Sequence, residues 1–186
     1  MSDQPLRPAE VVVPAQAIAT RMPELAAEIV RAYGDGAEGI VIVPVMTGAF
    51  IFAADLVRCL PNRVRVDVAT VRSYGRGTVS QGPRIEGVMP GVQGRHVLLV
   101  DDILDSGRTL AFLRQDMAQR GAASVRACVL LRKRRPLAMA TPCEFVGFDI
   151  DDLFVAGYGL DHDGWFRNLP DVVSLRQPGE GGPLVR

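Results

Sequence analysis

The sequence predicts an α/β fold, a mostly parallel twisted sheet flanked by helices. Two apolar runs, Ile40 to Val45 and Val97 to Val100, have the unbroken character of strands buried on both faces. Each is followed by a short glycine-containing loop and then by apolar residues at helical spacing, the strand–loop–helix order of a parallel sheet. With 186 residues, 48% hydrophobic and 23% charged, the chain suits one domain with a single sizeable core.

In chain order, residues 1–10 are polar and proline-rich and read as loose. Val11 to Val13 suggests a short strand. From Ala15 to Tyr33, residues Ile18, Met22, Leu25, Ile29 and Tyr33 recur at helical spacing, with Gly34 as a stop and Pro23 as a break or a second first turn. Ile51 to Leu60 is a second helix. Arg63 to Arg72 alternates, placing Val64, Val66 and Val68 on one face of a strand. Ser73 to Gly94 is glycine-rich and long enough to be a lid, part of it pairing as an antiparallel hairpin. Leu110, Leu113 and Met117 mark a third helix stopped by Gly121. Ser124 to Leu131 and Phe145 to Ile150 are further strands, and the Gly- and Pro-rich tail from Arg176 reads as disordered.

Bulk properties narrow the function. Lys+Arg and Asp+Glu are 21 each, so no global positive field favours nucleic acid, and no basic tail favours a membrane. No apolar run approaches the roughly 20 residues of a spanning helix. The N-terminus lacks the layout of a signal peptide, which makes the expected location cytoplasmic. Cys59, Cys128 and Cys143 have no metal-ligand spacing and read as buried free thiols in a reducing compartment. His96 and His162 fit no ligand pattern and read as structural or surface residues. Lys133 is the only lysine in an arginine-rich chain, in the turn R-K-R-R. It is either a position that needs a compact ammonium or a chance survivor.

The stretch Val97 to Leu110, V-L-L-V-D-D-I-L-D-S-G-R-T-L, concentrates the chemistry. A strand turns acidic at Asp101, Asp102 and Asp105, passes Ser106, Gly107, Arg108 and Thr109, and enters a helix. A helix start offers unpaired N–H groups and the positive dipole end, which suit phosphate. Gly107 permits close approach, and the hydroxyls of Ser106 and Thr109 add donors. Asp101 and Asp102 have the wrong sign for phosphate but suit a ribose diol, met directly or through a divalent metal. A ribose 5-phosphate would satisfy both halves. An ordinary turn capped by Asp105 or Ser106 would look similar in part. Met46-Thr47-Gly48 is a second strand-to-helix loop on the same sheet edge, and Lys133 lies at the carboxyl end of a strand, where open α/β sheets place ligands.

These motifs, in this order over roughly Ala15 to Leu175, closely resemble the type I phosphoribosyltransferase family. Asp105-Ser106-Gly107-x-Thr109 is similar to its branch acting on 6-oxopurines. The resemblance implies one phosphoribosyltransferase domain over 1–186, with a core of about 35–140, a small hood from about 1–14 and 141–175, a flexible lid loop, and a disordered tail at 176–186. It implies purine salvage: transfer of 5-phosphoribosyl from phosphoribosyl diphosphate to N9 of hypoxanthine or guanine, giving IMP or GMP and diphosphate.

The roles implied are equally definite. Asp105 would handle the proton at purine N7. Asp101 and Asp102 would hold the ribose, and Ser106, Gly107, Arg108 and Thr109 the 5-phosphate, with Arg108 where some relatives carry lysine. Thr47 and Gly48, in a loop whose peptide is often cis, would bind diphosphate with Arg167. Thr47 is uncharged where many relatives have lysine or asparagine. Lys133 would donate to the 6-oxo group, Phe154 would stack on the purine, and Val155 would bond its edge through the backbone. Asp161 would lie near the 2-amino edge. Read without the resemblance, Phe154 and Trp165 are core aromatics and Asp161 a turn residue. Ser73 and Tyr74 would help cover the site. Mg²⁺ would be anchored at Asp101 and Asp161, mostly through water. The expected assembly is a homodimer or homotetramer, with no nucleic acid or membrane partner. The rivals are a phosphoribosyltransferase for xanthine or another base, and an RNA-binding regulator built on the same fold.

Overall fold

In the computed structural model the described residues are 6–34, 39–61, 63–73, 83–86 and 91–176. Strand β1 (Arg7–Val13) leads into helix α1 (Ala15–Tyr33), then β2 (Val41–Met46) and α2 (Phe50–Cys59). After them come β3 (Arg65–Val66), β4 (Ala69–Ser73), β5 (Pro83–Glu86), β6 (His96–Leu104) and α3 (Arg108–Gln119). The chain closes with β7 (Ser124–Lys133), α4 (Pro136–Ala140), β8 (Phe145–Ile150), β9 (Val155–Ala156) and β10 (Val172–Arg176).

Seven strands form the main sheet in the order β5-β4-β2-β6-β7-β8, with β3 also paired to β2. All its pairings are parallel except β4 with β5, the expected hairpin, in which Thr70 faces Glu86 and Ser73 faces Pro83. The apolar runs are buried on both faces because the sheet is covered on both. Ile40, Ile42, Leu98, Val100, Cys128 and Leu130 pack toward Ile18, Leu25 and Ile29 of α1 and Phe52 and Leu56 of α2. Their neighbours Val41, Val43, Val97, Leu99 and Val129 pack toward Leu110, Leu113 and Met117 of α3. The chain leaving β2 goes to one side of that strand, and the chain leaving β6 goes to the other. Their carboxyl ends therefore flank the point where strand order reverses, the usual crevice of such sheets.

A separate antiparallel sheet, β1-β10-β9, forms the hood. It takes its strands from residues 7–13 and 155–176. Phe145–Ile150, placed by sequence inside the hood range, is instead the edge strand of the main sheet, paired with β7.

Several expectations are corrected. Residues 7–10 are not loose: they pair with β10, Arg7 opposite Arg176 and Pro8 opposite Leu175. Arg176 likewise belongs to a strand, and 177–186 lie outside the described residues. Pro23 does not break α1. It sits on the exposed face, while Ile18, Met22, Leu25, Ala26 and Ile29 bury the other face and hold the helix through the missing N–H. The alternating run Arg63 to Arg72 is two short strands. The chain shifts from pairing with Val41 and Ile42 to pairing with Val45 and Met46, so Val66 and Val68 are left exposed and only Val64 meets the core. Val92, near the end of the expected lid, is a core residue. All three cysteines are free, but Cys59, the last residue of α2, is exposed rather than buried.

A candidate phosphoribosyl-transfer site

The site forms where β2, β6 and β7 end and the hood leans over them. Strand β6 runs farther than its apolar core, to Leu104, so Asp101 and Asp102 are strand residues and not loop residues. Parallel pairing extends to Ile103 opposite Leu131 and Leu104 opposite Arg132, which holds the acidic end in register with β7. Asp101 is buried, its Oδ1 accepting the Asp102 N–H at 3.0 Å. Asp102 Oδ1 accepts the Ile103 N–H at 2.7 Å. Burial pushes both carboxyls above the ordinary carboxylate range. The charge of Asp102 adds to the rise at Asp101, and Arg167 opposes it at Asp102.

Asp105, Ser106 and Gly107 make the turn into α3. The helix is capped by Gly107 at φ +74°, with no side-chain cap from Asp105 or Ser106. Gly107 is required here on two counts: the left-handed backbone, and the side chain of Thr141, which occupies the space a Cβ would need. The first turn of α3, with Arg108 and Thr109, directs its free N–H groups to the loop side.

The second loop follows β2. The Met46–Thr47 peptide is cis. Thr47 is exposed, and Gly48 packs against Asp102 so closely that a Cβ on it would overlap the Asp102 carboxylate. From the hood, Gly159 backs onto the Gly48 carbonyl, where a Cβ would not fit, and Arg167 Nη1 donates to the Gly159 carbonyl at 2.6 Å. Arg167 Nη2 lies 2.6 Å from Asp161 Oδ1, and Asp161 Oδ2 accepts the Gly164 N–H at 2.7 Å. The acid pair, the cis-peptide loop and the hood are thus one continuous contact.

Beside them is a cleft of about 270 Å³ lined by Asp102, Asp105, Lys133, Phe154, Val155 and Asp161, with Ile103, Leu153 and Leu160. Lys133 is 8% exposed. Its Nζ lies 3.2 Å from Asp152 Oδ1, 3.9 Å from Asp105 Oδ2 and 5.7 Å from the centre of the Phe154 ring. Phe154 and Trp165 are each 72% exposed, so the core reading of both is wrong. Phe154 is held at the cleft mouth by its own backbone, whose carbonyl accepts from Leu175 N–H, and by Val155 paired to Ser174.

Of the residues expected at the site, Asp102, Asp105, Lys133, Phe154, Val155 and Asp161 share this cleft. Gly48 and Arg167 adjoin it through Asp102 and Asp161. Thr47 and Ser106 lie on the two flanking loops, and Arg108 and Thr109 in the first turn of α3. Ser73 ends β4, and Tyr74 lies outside the described residues. His96, exposed at the start of β6, bonds Ser124 at 2.8 Å, and His162 sits in the Trp165 turn, neither of them in the cleft. Sequence reasoning passed over Arg135 and Asp152, which join Asp105 and Lys133 in one charged cluster. The R-K-R-R and D-D runs carried that signal, but such runs usually mean a solvated turn.

The chain belongs to the family of the phosphoribosyl transferase domain, whose model matches residues 9–163. Within it, the chain is 37% identical over 165 residues to hypoxanthine phosphoribosyltransferase of Escherichia coli (strain K12), covering 88% of this chain and 93% of the relative. It is similar in structure to a hypoxanthine-guanine phosphoribosyltransferase from Bacillus anthracis, with TM-score 0.82 and 31% identity over 92% of this chain and all of the other. It is also similar to a mutant of the Trypanosoma cruzi hypoxanthine phosphoribosyltransferase solved as a ternary substrates complex, with TM-score 0.83 and 36% identity, covering 91% and 96% of the two chains. No helix among the described residues is long and apolar enough to cross a membrane.

Phosphoribosyltransferases generally use a divalent metal. Among the described residues no three acidic, histidine or cysteine side chains cluster to cage an ion by themselves, and no cation pairs with Asp101. Two adjacent carboxylates, one buried and one half-buried, instead suit a divalent ion that the protein holds through few ligands. Asp101 and Asp102 fit that group. Asp161 has both oxygens engaged, by Arg167 and by Gly164 N–H, leaving it only its remaining lone pairs.

Proposed function

We propose that this chain transfers the 5-phosphoribosyl group from phosphoribosyl diphosphate to N9 of hypoxanthine or guanine, releasing diphosphate and giving IMP or GMP. The observation that carries this reading is the cleft itself. A buried ammonium (Lys133) and a carboxylate (Asp105) face one space of a size for a neutral base, walled by Phe154 and abutting the paired acids of β6. An ammonium donates to a 6-oxo group but finds no acceptor in a 6-amino group, which selects hypoxanthine and guanine over adenine.

The steps follow from the layout. The turn at Ser106 to Thr109 and the first N–H groups of α3 receive the 5-phosphate. Asp101 and Asp102 accept from the ribose hydroxyls and favour positive charge at C1′ as its bond to diphosphate breaks and the electron pair leaves with the diphosphate. Thr47, Gly48 and Arg167 receive that leaving group. Asp101 and Asp102 would hold Mg²⁺, which would supply charge neutralisation to the leaving group. N9 then supplies the pair for the new C1′–N9 bond, while Asp105 takes the proton from N7. Phe154 and the Val155 backbone hold the base in line. The stretch containing Ser73 and Tyr74 would exclude water from the cation-like state. A homodimer or homotetramer is the proposed assembly.

Purified protein with Mg²⁺, phosphoribosyl diphosphate and each of hypoxanthine, guanine, xanthine and adenine tests the reading. IMP and GMP should form and AMP should not. Nucleotide formation from adenine alone, or salt-dependent RNA binding with no nucleotide formed, would reject it.

A further inference from the structure

Two carboxylates and two cations stand together at the base end of the cleft, and only two of the four have a role so far. Arg135, the residue that precedes α4, places Nη1 at 2.7 Å from Asp105 Oδ1 and Nε at 3.3 Å from Asp152 Oδ2. Asp152 gives its other oxygen, Oδ1, to Lys133 Nζ at 3.2 Å, and Lys133 lies 3.9 Å from Asp105 Oδ2. The four groups close a ring from Asp105 through Arg135, Asp152 and Lys133 back to Asp105. It balances in charge, which suits a neutral purine.

The ring has a direction. Arg135 occupies only one oxygen of Asp105 and leaves Oδ2 on the side of Lys133 and the cleft. The guanidinium donors are fixed in a plane, so Arg135 presents Nη1 to Asp105 and Nε to Asp152 in one set geometry, where the donors of an ammonium rotate. Asp105 follows the end of β6 in a turn, Lys133 ends β7, and Asp152 follows β8. Pairing between strands does not by itself set where the Asp105 carboxylate points. The Arg135 bridge does.

We propose that Arg135, anchored by Asp152, is a positioning residue that orients Asp105 Oδ2 toward the purine N7 while Asp152 holds Lys133 toward the 6-oxo group. This rests on the reading of Asp105 as the group that takes the N7 proton. Arg135 is nearly half exposed, so its ion pairs add little to folding, and the effect belongs in turnover.

The test compares Arg135→Gln, Arg135→Lys, Asp105→Asn and the Arg135→Gln/Asp105→Asn double variant. In Arg135→Gln, kcat should fall about tenfold through lost orientation, with unchanged melting temperature, IMP affinity and KM for phosphoribosyl diphosphate. Arg135→Lys should recover part of kcat, since an ammonium keeps the charge but loses the fixed planar pair of donors. The double variant should be no slower than Asp105→Asn alone, because the bridge acts only through Asp105. A wild-type kcat in Arg135→Gln, or losses that multiply in the double variant, would overturn the inference while leaving Asp105 in place. Full turnover in Asp105→Asn would remove the reading on which it rests.

Discussion

At the carboxyl end of β6, Asp101 and Asp102 each accept a backbone N–H, Asp101 buried and the half-buried Asp102 pressed against Gly48. A few residues on, Asp105 is nearly half exposed and held by side chains alone, Arg135 and Lys133. The end proposed for the sugar is therefore built from the sheet and admits little adjustment. The base end is built from long, rotatable side chains on the ends of β7 and β8 and is the end that can be retuned. A transferase needs this division. The sugar cation must form at one fixed place, whereas the acceptor base must enter, react and leave as part of a larger product.

The comparison can be broken most directly at Asp105. Asp105→Asn should cut kcat by roughly two to four orders of magnitude, the usual worth of a positioned acid–base group, while IMP binding measured by calorimetry stays close to wild type. Equal activity would remove Asp105 from the chemistry and leave the base end without its catalytic group. At the rigid end, Gly48→Ala would drive a Cβ into the Asp102 carboxylate. It should lower kcat/KM for phosphoribosyl diphosphate by about 100-fold through misplacement of the ribose acids, with circular dichroism unchanged. A silent Gly48→Ala would mean that the sugar end is not rigid after all.

Lys133→Ala sharpens the distinction between the two ends. It removes a charged donor worth about 1.5–3 kcal/mol, so KM for hypoxanthine and guanine should rise at least tenfold while KM for phosphoribosyl diphosphate does not move. An equal rise in both constants would place Lys133 at the sugar end. The smallest effect belongs to an arginine–aspartate pair outside the site, Arg132 with Asp149, at 2.6 Å and 3.0 Å across β7 and β8. The hydrogen bonds from Arg132 hold the Asp149 carboxyl below its ordinary value of 3.8. A depressed carboxyl contributes stability above its unfolded value and loses it as pH falls through the folded one. Asp149→Asn should therefore lower stability by less than about 1 kcal/mol at neutral pH. The difference in melting temperature should shrink below pH 3.8, and activity should not change. A loss of activity would extend the tunable base end to the neighbouring pair.

Much of the site was legible because its residues lie in a row. From Val97 to Thr109 the chain moves from apolar strand to acids to glycine to helix, and each residue type states its local task. The bounds of α1 and β8 follow the periodicity of their apolar residues. Other features were not legible for identifiable reasons. Pro23 argued for a break, but one lost hydrogen bond on a wet face is small beside the burial of five residues on the other face. Phe154 and Trp165 looked like core because aromatics usually are. Phe154 is exposed at a cleft mouth whose backbone is pinned by β10, and Trp165 in a turn bridged to His162. Arg135 and Asp152 were hidden because their partners come from different strand ends.

The sequence by itself determined the α/β class, the buried strands and the acidic strand-to-helix loop, since each depends on residues close along the chain and on local periodicity, while the kinship with phosphoribosyltransferases came from the resemblance of its motifs to that family. Only the tertiary structure decided that Gly48 backs onto Asp102, that Arg167 meets Asp161, and that Arg135 bridges Asp105 and Asp152. Those contacts join segments that the order and register of the strands bring together, and no local preference along the chain encodes which side chains will meet there.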